Sequence, residues 1–123
     1  TVGGGGIPVV EKDGILTGVA AVIDKDNASA KLAELIDADI LVILTAVDNV
    51  FVNFGKPNSK ALENITVSEL EEYVKENQFA AGSMLPKVLA TCNFARTGKT
   101  SVISSLQNAE QAFKLKSGTI ITK

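Results

Sequence analysis

Apolar and polar positions along the chain switch repeatedly between strand-like and helix-like spacing. Ile7-Pro8-Val9-Val10 reads as a short strand, with Pro8 suited to its start or to an edge, where no ladder donor is needed. Glu11 to Gly14 is charged, ends in glycine and reads as a turn, and residues 15 to 23 are apolar and extended. A helix is predicted from near Asp26. Ala28, Leu32, Leu35 and Ile36 follow its inner spacing, Lys31 and Glu34 face outward, and Asp26, Asn27 or Ser29 can cap it. Ile40-Leu41-Val42-Ile43-Leu44 is an unbroken apolar run of strand length, which suits a central strand covered on both faces. Asp48-Asn49 reads as a turn, Val50 to Phe54 as an alternating strand, and Gly55 to Ser59 as a loop.

Thr66 and Glu69 have the spacing of a capping box ahead of a short amphipathic helix over 67–76. Phe79 to Ser83 is a loop of small residues. From Ser83 a helix is predicted to about Ala95, with Met84, Val88, Cys92 and Ala95 on one stripe and Leu85 and Leu89 beside it. Pro86 falls in its first turn, where the missing N–H costs little, and Gly98 ends it. Ser101 to Ser105 reads as a strand, Gln107 to Leu115 as a helix and Thr119 to Thr122 as a last strand. Strands alternating with helices predict an α/β layered sandwich.

Composition narrows the chemistry. With 46% hydrophobic and 21% charged residues, the 123-residue chain is globular in composition and of one-domain length. Its 12 basic and 14 acidic residues give a net charge of -2, which does not point to nucleic acid, where clustered Lys and Arg neutralise phosphates. No apolar run approaches the roughly 20 residues of a membrane-spanning helix. The sequence has no His, so Ser-His-Asp and Cys-His catalysis and His-ligated zinc are excluded. The lone Cys92 excludes an intramolecular disulfide and fits a reducing compartment, the cytoplasm.

Three loop segments can carry chemistry. Gly3 to Gly6 can bring backbone N–H groups close to a phosphate, but a glycine run equally suits a connector. Because only Thr1 and Val2 precede this run, the chain is expected to be the C-terminal piece of something longer. Asp24-Lys25-Asp26 stands before a helix, whose N-terminus attracts anions, but it also suits a solvated capping cluster. Gly82-Ser83-Met84-Leu85-Pro86-Lys87 combines a glycine turn, a cap and a lysine one turn into a helix. That side chain leans back towards the N-terminus, although an ordinary surface lysine is the competing reading. Together the last two segments bring two lysines and a flanking carboxylate to two helix starts, the set needed for phosphoryl transfer. No Walker sequence and no protein-kinase signature is present.

The strings GGGGIPVV, AVIDKDNASAKLAE, ADILVILTAVDNVFVNFGKP and QFAAGSMLPKV, followed by the terminal SGTIIT, resemble carbamate kinase, a member of the amino-acid kinase superfamily. The order IDKD, NFGK, GSMLPKV separates that family from its acetylglutamate kinase and UMP kinase relatives. The resemblance implies a three-layer αβα sandwich around a mainly parallel sheet, of which residues 1–123 form the C-terminal nucleotide-binding part. It implies magnesium-dependent transfer of a phosphoryl group between ATP and carbamate, giving ADP and carbamoyl phosphate. The reaction often runs in reverse to make ATP in arginine fermentation, in a homodimer. By position, Lys87 matches the lysine that neutralises the transferring group, Asp26 the aspartate that organises the catalytic lysines, and Lys25 a lysine that contacts nucleotide phosphates. Thr45, Ala46 and Val47 match one wall of the nucleotide pocket, Gly82, Ser83 and Met84 the loop opposite, and Gly4 and Gly5 a loop at the phosphate and carbamate end.

The chain departs from the pattern at Ala46, where many superfamily members have Asp, and at Ala81, where many carbamate kinases have Pro. The family's N-terminal half, with another lysine, much of the acceptor pocket and most of the dimer surface, has no counterpart here. On that reading the 123 residues alone bind nucleotide without turning it over. A related amino-acid kinase with a different acceptor is the competing reading for the intact protein.

Overall fold

The computed structural model describes residues 6–123. The expected loop at Gly4 and Gly5 therefore lies outside the described residues. The described chain opens with an antiparallel hairpin, β1 (Val9–Lys12) and β2 (Ile15–Gly18). Asp13 and Gly14 turn it with φ of 53° and 79°, the pair of left-handed residues that matches the twist of a two-residue hairpin. The turn is where the sequence puts it, but the first strand is displaced beyond Ile7-Pro8 and the following extended stretch is its partner.

Helix α1 (Lys25–Leu35) begins one residue earlier than expected and is capped by Asp24, whose Oδ1 accepts the Asn27 amide at 2.8 Å. None of the three expected caps serves. The inner face is also different. Asp26, Ala30 and Ala33 are buried, whereas Leu35 and Ile36 remain 71% and 66% exposed and Leu32 is exposed as well. Small side chains let α1 lie close against α3 (Met84–Ala95), its main packing partner. The larger apolar residues would hold the two helices apart.

Four strands form the main sheet in the order β3 (Ile40–Thr45), β7 (Thr100–Ser105), β8 (Thr119–Thr122) and β6 (Asn64–Thr66). The β3–β7 and β6–β8 ladders are parallel and β7–β8 is antiparallel. The unbroken apolar strand β3 is thus an edge strand among the described residues. Only Leu41 and Ile43 are fully buried, and Ile40, Val42 and Leu44 are half-buried. The strand covered on both faces is its neighbour β7, where Ser101 to Ser105 are all buried. Ser101 donates to the Thr91 carbonyl of α3 at 2.9 Å, so one face of β7 packs on that helix, as an αβα sandwich requires.

A second hairpin, β4 (Val50–Val52) and β5 (Lys60–Leu62), stands beside the sheet. Neither β5 nor β6 was expected. Three-residue strands are too short to show a period. Helix α2 (Val67–Lys75) starts at the expected capping box. The Thr66 amide donates to Glu69 at 2.9 Å and the Glu69 amide to the Thr66 hydroxyl at 3.3 Å. These bonds to Thr66 hold the Glu69 carboxyl below the usual carboxylate range. The last helix, α4 (Ala109–Phe113), is shorter than predicted.

The core gathers Leu70, Val88, Phe94, Ile103 and Ile121 between helices and sheet, each contributing about 1.5–3 kcal/mol by leaving water. Cys92 lies in the same core, where burial pushes its thiol up to about 11. It stays protonated near neutral pH and is a packing residue rather than a nucleophile.

One buried polar junction ties the second hairpin to the sheet. Thr119 Oγ1 donates to the Leu62 carbonyl at 2.5 Å and accepts the Val50 amide at 2.8 Å. Thr119→Val keeps the shape but leaves the Val50 N–H buried and unpaired, which costs about 1–3 kcal/mol. Urea unfolding of the intact protein should show a lower midpoint at unchanged slope. An unchanged midpoint would mean that water replaces the hydroxyl.

Candidate functional site

Two helix starts meet at one buried carboxylate. Asp26, in the first turn of α1, is 6% exposed. Its Oδ2 accepts a hydrogen bond from Lys87 Nζ at 2.8 Å and lies 3.6 Å from Lys25 Nζ. Lys87 comes from the first turn of α3, 61 residues away in sequence. A carboxylate buried this deeply needs its charge met, and Lys87, 13% exposed at its side chain, meets it. Lys25 keeps 60% of its side chain in solvent. The cluster therefore sets two cations on one carboxylate oxygen beside two helix N-termini, an arrangement suited to an anionic group, while the other carboxylate of this helix start, Asp24, is engaged as the α1 cap.

Beside this cluster opens a cleft of about 550 Å³, lined on one side by Thr45, Ala46 and Val47 at the end of β3. Phe51 of β4 and the β4–β5 turn (Asn53, Phe54, Lys56) form a second wall. The third wall is the segment from Glu76 to Ala80 together with Ser83 and Met84. The lining mixes aromatic and aliphatic surface with a few polar groups, the usual make-up of a small-molecule site. Ser83 and Met84 lead directly into α3, so the cleft and the Lys87 cluster share one helix start.

The expected residues are thus largely brought together. Lys25, Asp26 and Lys87 form one cluster, and Thr45, Ala46, Val47, Ser83 and Met84 line one cleft. Two details differ. Gly82 is exposed and not part of the lining, and Ser83 precedes α3 without making a side-chain cap. Sequence reasoning missed the walls formed by Phe51 to Lys56 and by Glu76 to Phe79. The NFGK string at Asn53–Lys56 was the available signal, for its turn residues mark a backbone reversal next to a strand.

Among the described residues no three His, Cys, Asp or Glu side chains gather to hold a metal, and Asp26 is already engaged by two lysines. These residues do not fit a magnesium ion held by the protein alone. Such an ion would arrive bound to the phosphates of a nucleotide. No helix among the described residues is long and apolar enough to cross a membrane.

A cleft at the end of a strand, with lysines at the adjoining helix starts, defines an α/β protein with a site suited to an anionic ligand. Comparison with known proteins makes this specific: the profile of the amino acid kinase family matches residues 3–104, and the chain belongs to that family. It is 61% identical over 124 residues to a carbamate kinase of Oenococcus oeni and 58% identical over 123 residues to a carbamate kinase of Clostridium perfringens. These alignments cover 100% and 98% of this chain but 40% and 39% of those relatives. The chain therefore spans about two-fifths of the length of the curated relatives it matches. Among solved structures, carbamate kinase from Giardia lamblia bound to AMP-PNP superposes with a TM-score of 0.93 at 47% identity, over 98% of this chain and 42% of that one.

Proposed function

We propose that this chain is the C-terminal, nucleotide-binding part of a carbamate kinase, an enzyme that moves a phosphoryl group between ATP and carbamate. The observation that carries the proposal is the Lys25–Asp26–Lys87 cluster at the start of α3, the helix start whose Ser83 and Met84 also line the cleft. The nucleotide's base and ribose occupy the cleft between β3, the β4–β5 turn and the loop before α3. Its phosphates run past Ser83 to the two lysines. The relative seen with AMP-PNP supports a nucleotide in this fold.

In such a transfer there is little covalent work for the protein, and catalysis comes from holding positive charge where charge develops. Lys87 Nζ is the group placed against the transferring phosphoryl. Asp26 is a positioning residue. Its buried oxygen fixes Lys87 at 2.8 Å and turns Lys25 towards the same point. Lys25, largely solvent-facing, contacts the nucleotide phosphates. Magnesium, carried by those phosphates, neutralises part of their charge. Gly4, Gly5 and the rest of the intact polypeptide complete the acceptor end, and on this reading the 123 residues alone do not turn over. The intact protein is a cytoplasmic homodimer.

The test is ATP formation by the intact protein from ADP and magnesium with carbamoyl phosphate as donor. Acetyl phosphate and other acyl phosphates serve as parallel donors. ATP formed from carbamoyl phosphate in preference to the others is the expected result. Preference for another acyl phosphate would shift the assignment to a related amino-acid kinase with a different acceptor.

A further inference from the structure

The two walls of the cleft that lie far apart in sequence are joined, among the described residues, by one side-chain hydrogen bond. Gln78 Oε1 accepts the backbone N–H of Asn53 at 2.9 Å. Both ends of this bond are held stiffly. On the Gln78 side, α2 ends in a left-handed residue, Asn77 with φ of 56°. The Gln78 amide donates to the Tyr73 carbonyl at 3.1 Å, and the next side chain, Phe79, is buried in the core. On the Asn53 side, Asn53 and Gly55 both have positive φ, 52° and 77°, and the turn is closed by Lys56 N donating to the Asn53 carbonyl at 3.0 Å. The turn follows a strand of only three residues, β4. Its tip, with half-exposed Asn53 and exposed Phe54, has little core contact of its own to fix it against the opposite wall.

We propose that Gln78 is a positioning residue that sets the width of the nucleotide cleft by tying the β4–β5 turn to the segment before α3. The inference rests on the cleft being the nucleotide site. Without the tie, the Asn53 amide turns to water and the tip of the turn, with Asn53 and Phe54, moves free of the opposite wall, while Phe51 stays held in β4. A nucleotide must then restore that geometry on binding. Such ordering weakens binding without touching the charges that act on the transferring group. The effect therefore belongs in nucleotide affinity rather than in the chemical step.

Two variants of the intact protein test this. Gln78→Met keeps length and bulk but removes the acceptor. Gln78→Glu keeps an acceptor oxygen and is made together with Glu76→Gln, because the Gln78 amide nitrogen also donates to the Glu76 carboxylate at 3.4 Å and a second carboxylate there would repel it. ADP affinity is measured by calorimetry, KM for ADP and kcat by ATP formation, and folding by thermal unfolding. In Gln78→Met, the Kd and KM for ADP should rise roughly 10-fold, as loss of one hydrogen bond implies. Its kcat should stay within about twofold, its melting temperature should be close to wild type, and Gln78→Glu with Glu76→Gln should recover most of the affinity. Equal ADP affinity in wild type and Gln78→Met overturns the inference and leaves the nucleotide reading intact. So does a fall in kcat that merely tracks lost folding, or no recovery in Gln78→Glu with Glu76→Gln. Failure of the wild-type intact protein to bind ADP at all overturns both.

Discussion

Replacing Lys87 by alanine lowers kcat of the intact protein by at least about 10²-fold, the loss expected when one preorganised charge partner of a transition state is removed. The expectation follows from placement. Lys87 is the least exposed cation of the cluster, it is fixed by a 2.8 Å bond to Asp26, and it stands at the helix start that also lines the cleft. A mobile surface lysine could be replaced by solvent cations; one held in this way cannot. The substitution also leaves Asp26 buried opposite only Lys25, 3.6 Å away and mostly solvated. Removing one partner of a buried pair costs roughly 3–5 kcal/mol, so kcat is to be measured at saturating substrate and below the variant's unfolding temperature. If folded Lys87→Ala protein, saturated with ADP and carbamoyl phosphate, turns over at the wild-type rate, Lys87 has no part in the transfer.

The largest effect on stability is expected at a position with no role in the site. Gly118 precedes β8 with φ of +97°. A Cβ there would lie 2.6 Å from the Ile103 carbonyl oxygen and 2.8 Å from the Ser104 Cβ. Both obstacles belong to β7, which is buried on both faces and cannot retreat. Gly118→Ala therefore adds backbone strain to steric overlap, together roughly 2–6 kcal/mol. Most of the stability of an ordinary domain can be lost this way. Denaturant unfolding of the intact protein measures it. A loss below about 1 kcal/mol would mean that the β7–β8 ladder slides to make room, which hydrogen exchange at Ile103 and Ile120 would then reveal.

What the sequence disclosed was what depends on neighbours in the chain. The Thr66–Glu69 capping box, the Asp13-Gly14 turn and the Pro86 helix start are local in cause and stand where they are expected. What depends on distant partners was harder to see. The run from Ile40 to Leu44 is apolar enough for a central strand, yet among the described residues it is paired only on its β7 side. In α1, the periodicity of Leu32, Leu35 and Ile36 pointed to the wrong face. Hydrophobicity ranks leucine above alanine, but close packing on α3 selects Ala30 and Ala33. Charge patterns at helix starts were enough to draw Lys25, Asp26 and Lys87 into one group. Their meeting at a single oxygen, and the bond from Gln78 across the cleft, need a fold to bring together residues 61 and 25 positions apart.

The cleft lining runs from Thr45 to Met84, and the parallel ladder at its base pairs Ile40 with Thr100 and Thr45 with Ser105. Every wall of the cleft is thus contained in one excursion of the chain between two adjacent strands. On a ribosome, all of those walls emerge before the strand that completes their foundation. Closing so long a loop is slow compared with forming a helix or a hairpin. A polypeptide released before residue 100 would carry every lining side chain and still have no cleft, so the capacity to hold a ligand should arrive late and in one step, with β7.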